Sequence, residues 1–76
     1  MKDKSIGRQL YLARNENGYS IDYVASKTGI PRQVLAEIET NITPIELGQF
    51  IKLCRLYDVS ADYLIKQGAE DDTQNL

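Results

Sequence analysis

Apolar residues recur along this chain at intervals of three and four, with short polar or glycine-bearing breaks between the runs. That period gathers side chains on one face of an α-helix, whereas a strand would alternate. Ser5 is placed to cap a first helix in which Ile6, Leu10 and Ala13 share a face, and Gly18 stops it after Asn15, Glu16 and Asn17. Ser20 caps a second, short helix with Val24, Ala25 and Thr28 on one side and Gly29 at its end. Pro31 suits the start of a third helix carrying Val34, Leu35 and Ile38, and the composition of Asn41 to Pro44 is that of a loop. The longest stripe, Leu47, Phe50, Ile51, Cys54 and Tyr57, predicts a fourth helix whose stripe is core, closed by Asp58 and Val59. Ser60 caps a last helix with Leu64 and Ile65, and Gly68 opens a polar tail. The expected elements are helices over residues 5–17, 20–28, 31–39, 46–57 and 60–66, in an all-α domain spanning residues 1–68 and followed by an acidic tail at 69–76.

Seventy-six residues suffice for one domain with one modest core. Cys54 is the sole cysteine, so no intrachain disulfide is expected, and its simplest role is that of a small buried hydrophobe. The chain has no histidine, which removes the commonest general base and the commonest metal ligand together. Neither an enzyme nor a cofactor, metal or small-molecule site is expected. Met1 to Lys4 are polar and charged apart from the first residue, and no apolar run is long enough for a signal or transmembrane helix, so a cytoplasmic protein is expected. Nine basic against eleven acidic residues give a net charge of −2. Glu70, Asp71 and Asp72 lie in the tail; without residues 69–76 nine basic and eight acidic residues leave +1. The tail can serve solubility or repel nucleic acid, and the body is near neutral where a nucleic-acid binder is usually basic.

The most informative stretch runs from Ser20 to Ile38. Small Ala25 lets two helices cross closely, Gly29 permits a left-handed turn, and Val24, Ile30, Leu35 and Ile38 are set to bury the crossing. Together with Ile6-Gly7-Arg8-Gln9-Leu10, Arg14, Gly18-Tyr19-Ser20, Ile38-Glu39 and Val59-Ser60-Ala61-Asp62-Tyr63-Leu64, this resembles the lambda-repressor-like (Cro and XRE) family of helix-turn-helix domains. The resemblance covers roughly residues 5 to 66 without insertion or deletion.

The resemblance implies a compact five-helix fold and a bacterial or phage transcriptional regulator, repressor-like, whose third helix lies in the major groove of duplex DNA. Residue by residue, the groove-facing positions are Pro31, Arg32, Gln33, Ala36 and Glu37. Arg32 is suited to guanine, Gln33 to adenine and Glu37 to the cytosine amine. Arg32 as a merely solvated first-turn residue, and Glu37 as a carboxylate that opposes phosphate, stay open beside those roles. Backbone amides near Ser20 and Ile21, with Thr40, Asn41 and Thr43, are the expected phosphate contacts. Arg14 and Glu39 occupy positions that in this family form a structural ion pair. A homodimer on a pseudo-palindromic operator is implied, with Ile42, Ile45, Tyr63 and Ile65 as the expected contact between copies.

Three departures from the family pattern support a second reading. Ile21 stands where many relatives carry a phosphate-gripping glutamine, the loop Thr40 to Pro44 has no basic residue, and Tyr11, Leu12, Ile21, Tyr23, Ile42, Ile45 and Tyr63 are apolar or aromatic at usually polar positions. Exposed together, these side chains would mark a protein-binding module of the same fold, such as an antirepressor, an antitoxin-like partner or a regulator of another DNA-binding protein, with Tyr23 on its contact face.

Overall fold

A computed structural model of the chain describes residues 6–66, and Ser5, Gly68 and the tail at 69–76 lie outside the described residues. Four helices are α1 (Ile6–Glu16), α2 (Ile21–Thr28), α3 (Arg32–Glu39) and α4 (Leu47–Tyr57). A fifth, α5, is helical over residues 61–66. Among the described residues there is no strand.

The breaks between helices follow from local chemistry. Ser20 accepts the Tyr23 N–H at 3.0 Å and caps α2, and Ser60 caps α5 in the same way through Tyr63 N–H at 3.2 Å. At the other end of α2 the Thr28 hydroxyl donates to the Val24 carbonyl at 2.8 Å and accepts from Ile30 N–H at 3.2 Å, so this buried polar side chain is satisfied twice. Gly29 then takes φ 77° and donates its N–H to the Ala25 carbonyl, a left-handed turn that a residue with a Cβ adopts only under strain. Within three residues of that turn the chain has entered α3. Asn41 and Asp58 supply the corresponding left-handed residues after α3 and α4, at φ 63° and 58°.

Leu10, Val24, Ile30, Leu35, Ile38, Phe50, Leu53, Cys54, Tyr57 and Leu64 close one core, with α1 and α2 each packed against both α3 and α4. The fourth helix corrects the expected stripe. Phe50, Leu53, Cys54 and Tyr57 are buried, whereas Leu47 is 72% exposed and Ile51 is also on the surface. Leu47 and Ile51 lie about 70–110° round the helix from the centre of the buried row, beyond the arc that one packed face covers. Leu53, absent from the expected stripe, takes the place inside. Ile65 is exposed; Leu64 anchors α5 in the core, with half-buried Ala61 packed against it.

Two close approaches hold α1. A Cβ on Gly7 would collide with the Ile38 carbonyl oxygen and with the side chain of Asn41, so the absence of a side chain sets the distance between α1 and the end of α3. At the far end of α1 the Asn17 amide donates to the carbonyls of Ala13 at 2.9 Å and Tyr57 at 3.1 Å, tying the last turns of α1 and α4 together.

Candidate nucleic-acid interface

α3 is fastened on one side and open on the other. Leu35 and Ile38 point into the core with Val34 half-buried beside them, while Arg32, Gln33 and Ala36 are exposed. The 3.6-residue period puts positions 32, 33 and 36 together on the face opposite the core. Pro31 occupies the N-cap with φ −57° and ψ 143°; it contributes no side-chain cap, and no acidic residue lies in the first turn of α3. The positive end of this short helix therefore opens beside the exposed face.

Arg32 is met from the neighbouring helix. Its Nε lies 3.2 Å from Asp22 Oδ1, in a pair whose side chains remain 68% and 69% exposed. Asp22 has no counterpart among the residues expected from the sequence.

At the other end of α3, Glu39 receives Arg14 Nε at 2.7 Å and Nη2 at 3.0 Å, and Arg14 Nη1 donates to the Tyr19 carbonyl at 2.9 Å. The two side chains are 13% and 8% exposed. Hydrogen bonding to Glu39 raises the Arg14 pKa against an opposing effect of burial, so the guanidinium stays charged. This pair belongs to the frame that holds α3 and not to its exposed face.

The loop after α3, in which Thr40, Asn41 and Thr43 are the expected phosphate contacts, folds back on the end of that helix. The backbone N–H groups of Thr40, Asn41, Ile42 and Thr43 all donate to carbonyls of Ala36, Glu37 or Ile38. The Thr40 hydroxyl donates to the Ala36 carbonyl at 2.9 Å, and the Thr43 hydroxyl donates to Glu37 Oε1 at 3.0 Å. Glu37, expected to read cytosine, is half-buried and its carboxylate holds this loop. Short-range carbonyls left over at the end of an eight-residue helix explain the arrangement, because each must find a donor.

The apolar and aromatic departures do not form one uniformly free set. Ile21 and Ile45 are half-buried against the core. Tyr23 is exposed at its edge but packs its ring 4.8 Å from that of Tyr19, with Lys27 Nζ 5.6 Å from the ring centre. Tyr11 lies beside both Arg8 and Arg14, at 5.3 and 5.6 Å. Ile42, Tyr63 and Ile65 are exposed, and Leu47 joins them as a surface residue that the periodic pattern assigned to the core.

Among the described residues no group of three or more His, Cys, Asp or Glu side chains is placed to hold a metal ion, and no helix is long and apolar enough to cross a membrane.

A family model described as helix-turn-helix matches residues 10–64. The chain is 33% identical over 70 residues to the HTH-type transcriptional regulator SinR of Bacillus licheniformis, covering 91% of this chain and 61% of that protein. It is 34% identical over 61 residues to the HTH-type transcriptional regulator ImmR of Bacillus subtilis strain 168, covering 80% of this chain and 48% of that protein. The chain thus spans about three fifths to one half of the length of these curated relatives. Among solved structures, the crystal structure of the master regulator for biofilm formation SinR in complex with DNA aligns with a TM-score of 0.74 at 31% identity, over 80% of this chain and 98% of that one.

Proposed function

This chain belongs to the lambda-repressor-like (Cro and XRE) helix-turn-helix family, and from that premise we propose that it is a sequence-specific DNA-binding transcriptional regulator acting in the cytoplasm. The observation that carries the proposal is the mounting of α3: its inner face and its end are fixed by Leu35, Ile38 and the Arg14–Glu39 pair, while Arg32, Gln33 and Ala36 are presented outward with no core role. A rigid helix with a free polar face fits the major groove, where Arg pairs with guanine and Gln with adenine, each good pair discriminating by about 1–3 kcal/mol. The likeness to a DNA-bound structure of SinR supports the same reading.

Phosphate contact falls to the first turn of α2, beside Ser20 and Ile21, because the backbone donors of residues 40–43 and the hydroxyls of Thr40 and Thr43 are engaged within the chain. Few phosphate contacts mean weak binding by one copy. The protein acts as a homodimer on a pseudo-palindrome, with two copies of α3 about one helical turn of DNA apart. Ile42, Leu47, Tyr63 and Ile65, exposed on the α3–α4 loop, α4 and α5, supply the apolar contact between copies, and this use accounts for their exposure without a foreign protein partner.

Selection of duplexes from a random pool at low and moderate salt tests the proposal. An enriched palindrome whose affinity falls with salt is expected; no enrichment even at low salt overturns direct DNA recognition and redirects attention to a protein partner.

A further inference from the structure

Two features of the exposed face of α3 bear on how its arginine is used. Arg32 has several rotatable bonds and stands in the first turn, next to the end of α2 where phosphate is expected to lie. An arginine so placed has two uses open to it: pairing with a base edge, which carries sequence information, and pairing with phosphate, which carries none. The carboxylate that meets it comes from α2, on which Asp22 sits in the first turn, two residues after the capping Ser20.

Resting on the DNA-binding reading above, we propose that Asp22 is a specificity-determining residue that positions Arg32 for base contact and keeps it from the phosphate backbone. Asp22 acts through Arg32 in two ways. Its Oδ1 lies 3.2 Å from Nε in an ion pair, so the carboxylate draws the guanidinium towards the start of α2 and competes with phosphate for its charge, while the guanidinium's five donors exceed what one carboxylate can accept. Its negative charge also stands at the first turn of α2, where it repels phosphate and weakens binding to every duplex alike. The pair is exposed, and exposed pairs contribute little to folding, about 0–1 kcal/mol. Its loss therefore leaves the fold intact while changing what Arg32 does.

The near-neutral charge of the body makes such a device useful. With nine basic residues against eight acidic outside residues 69–76, discrimination here cannot be obtained by adding general affinity, and each arginine spent on phosphate lowers the ratio between specific and random binding. The two acidic residues of α3 are engaged elsewhere, Glu37 with Thr43 and Glu39 with Arg14, and the carboxylate beside Arg32 is that of Asp22.

The test compares the full chain with Asp22→Ala, Asp22→Glu, Arg32→Ala and the double variant Asp22→Ala/Arg32→Ala, each measured on the duplex enriched by the wild-type protein, on that duplex with single base-pair changes, and on random duplex, across a salt series. Asp22→Ala is expected to bind random duplex several-fold more tightly, to lose about tenfold in discrimination at one base pair, and to show a salt slope steeper by about one unit. The double variant is expected to match Arg32→Ala in base preference, and Asp22→Glu to retain part of the discrimination. Equal gains on specific and random duplex, or a double variant whose losses simply add, would overturn the assignment and leave Asp22 a repelling surface charge. If the wild-type chain enriches no duplex at all, it is the DNA-binding reading that fails, and that is seen before any variant is made. Thermal unfolding midpoints of the four variants within a few degrees of wild type establish that the changes are not losses of fold.

Discussion

Arg14 and Glu39 meet through two parallel hydrogen bonds across 25 residues of sequence, and the same guanidinium closes on the Tyr19 carbonyl. One side chain thereby joins α1, the turn before α2 and the end of α3. Removing one partner strands the other charge in a site that is largely closed to water. Arg14→Met is expected to destabilise the fold by about 3 kcal/mol in urea unfolding, and Arg14→Met/Glu39→Leu to recover most of that loss, since two apolar groups need no partner. A single variant that unfolds like wild type would show that water reaches the carboxylate freely.

Glycine substitutions at Gly7 and Gly48 should have opposite signs. Gly7→Ala drives a Cβ into the Ile38 carbonyl and the Asn41 side chain, and about 1–3 kcal/mol of destabilisation is expected as α1 is pushed from α3. At Gly48, on α4, a Cβ meets nothing, so Gly48→Ala is expected to stabilise by about 0.5–1 kcal/mol through lower entropy of the unfolded chain. Denaturant midpoints for the two variants decide this directly.

The Tyr57 hydroxyl is buried without a hydrogen-bond partner among the described residues. Tyr57→Phe keeps the ring against Tyr19 and removes a desolvated polar group, so an increase in stability of about 1 kcal/mol at pH 7 is expected. The gain should widen at high pH. Burial pushes the Tyr57 phenol well above its ordinary value of 10.0, with a further push from Glu39, and burial raises the Cys54 thiol above 9.0. Protons held more tightly by the folded chain leave stability whole below those ordinary values and erode it as pH rises past them, because the unfolded chain ionises first. Urea titrations at pH 8 and pH 11 should show wild type losing more stability than Tyr57→Phe; equal losses would place the alkaline sensitivity elsewhere.

Ile42→Asp and Leu47→Lys replace exposed side chains and should alter unfolding by no more than about 0.5 kcal/mol. If the copies meet there, both variants weaken self-association in sedimentation equilibrium and lower affinity for a palindrome more than for a half-site. Unchanged association would move the dimer contact off this surface.

Helices and their ends were legible in the sequence because each break depends on nearby residues: Ser20 on Tyr23, Thr28 and Gly29 on Val24 and Ala25, Ser60 on Tyr63. The inward face of α3 at Val34, Leu35 and Ile38 was likewise set by one period, whereas its outward positions came from the resemblance, and one of them, Glu37, is half-buried. What escaped depends on partners distant along the chain. Asp22 reaches an arginine ten positions on, Asn17 a carbonyl forty positions on, and Gly7 matters only for what it nearly touches at Ile38 and Asn41. The Arg14–Glu39 pair was expected through resemblance alone, as nothing in a spacing of 25 residues proposes it. Leu47 and Ile51 misled for a different reason: hydrophobicity marks a helix face, but the width of that face is decided by the neighbours that cover it.

The mounting of α3 has a bearing on how such a chain diverges. Leu35, Ile38 and Glu39 are committed to the frame, while Gln33 and Ala36 have no tertiary obligation and Arg32 only a surface partner. Substitutions at these three positions are free to accumulate without eroding the fold, so on the proposed reading of α3 a lineage would change what it binds one residue at a time and pass through no unfolded ancestor. Duplicated copies of this chain would separate first at residues 32, 33 and 36, and last at Arg14, Leu35 and Glu39.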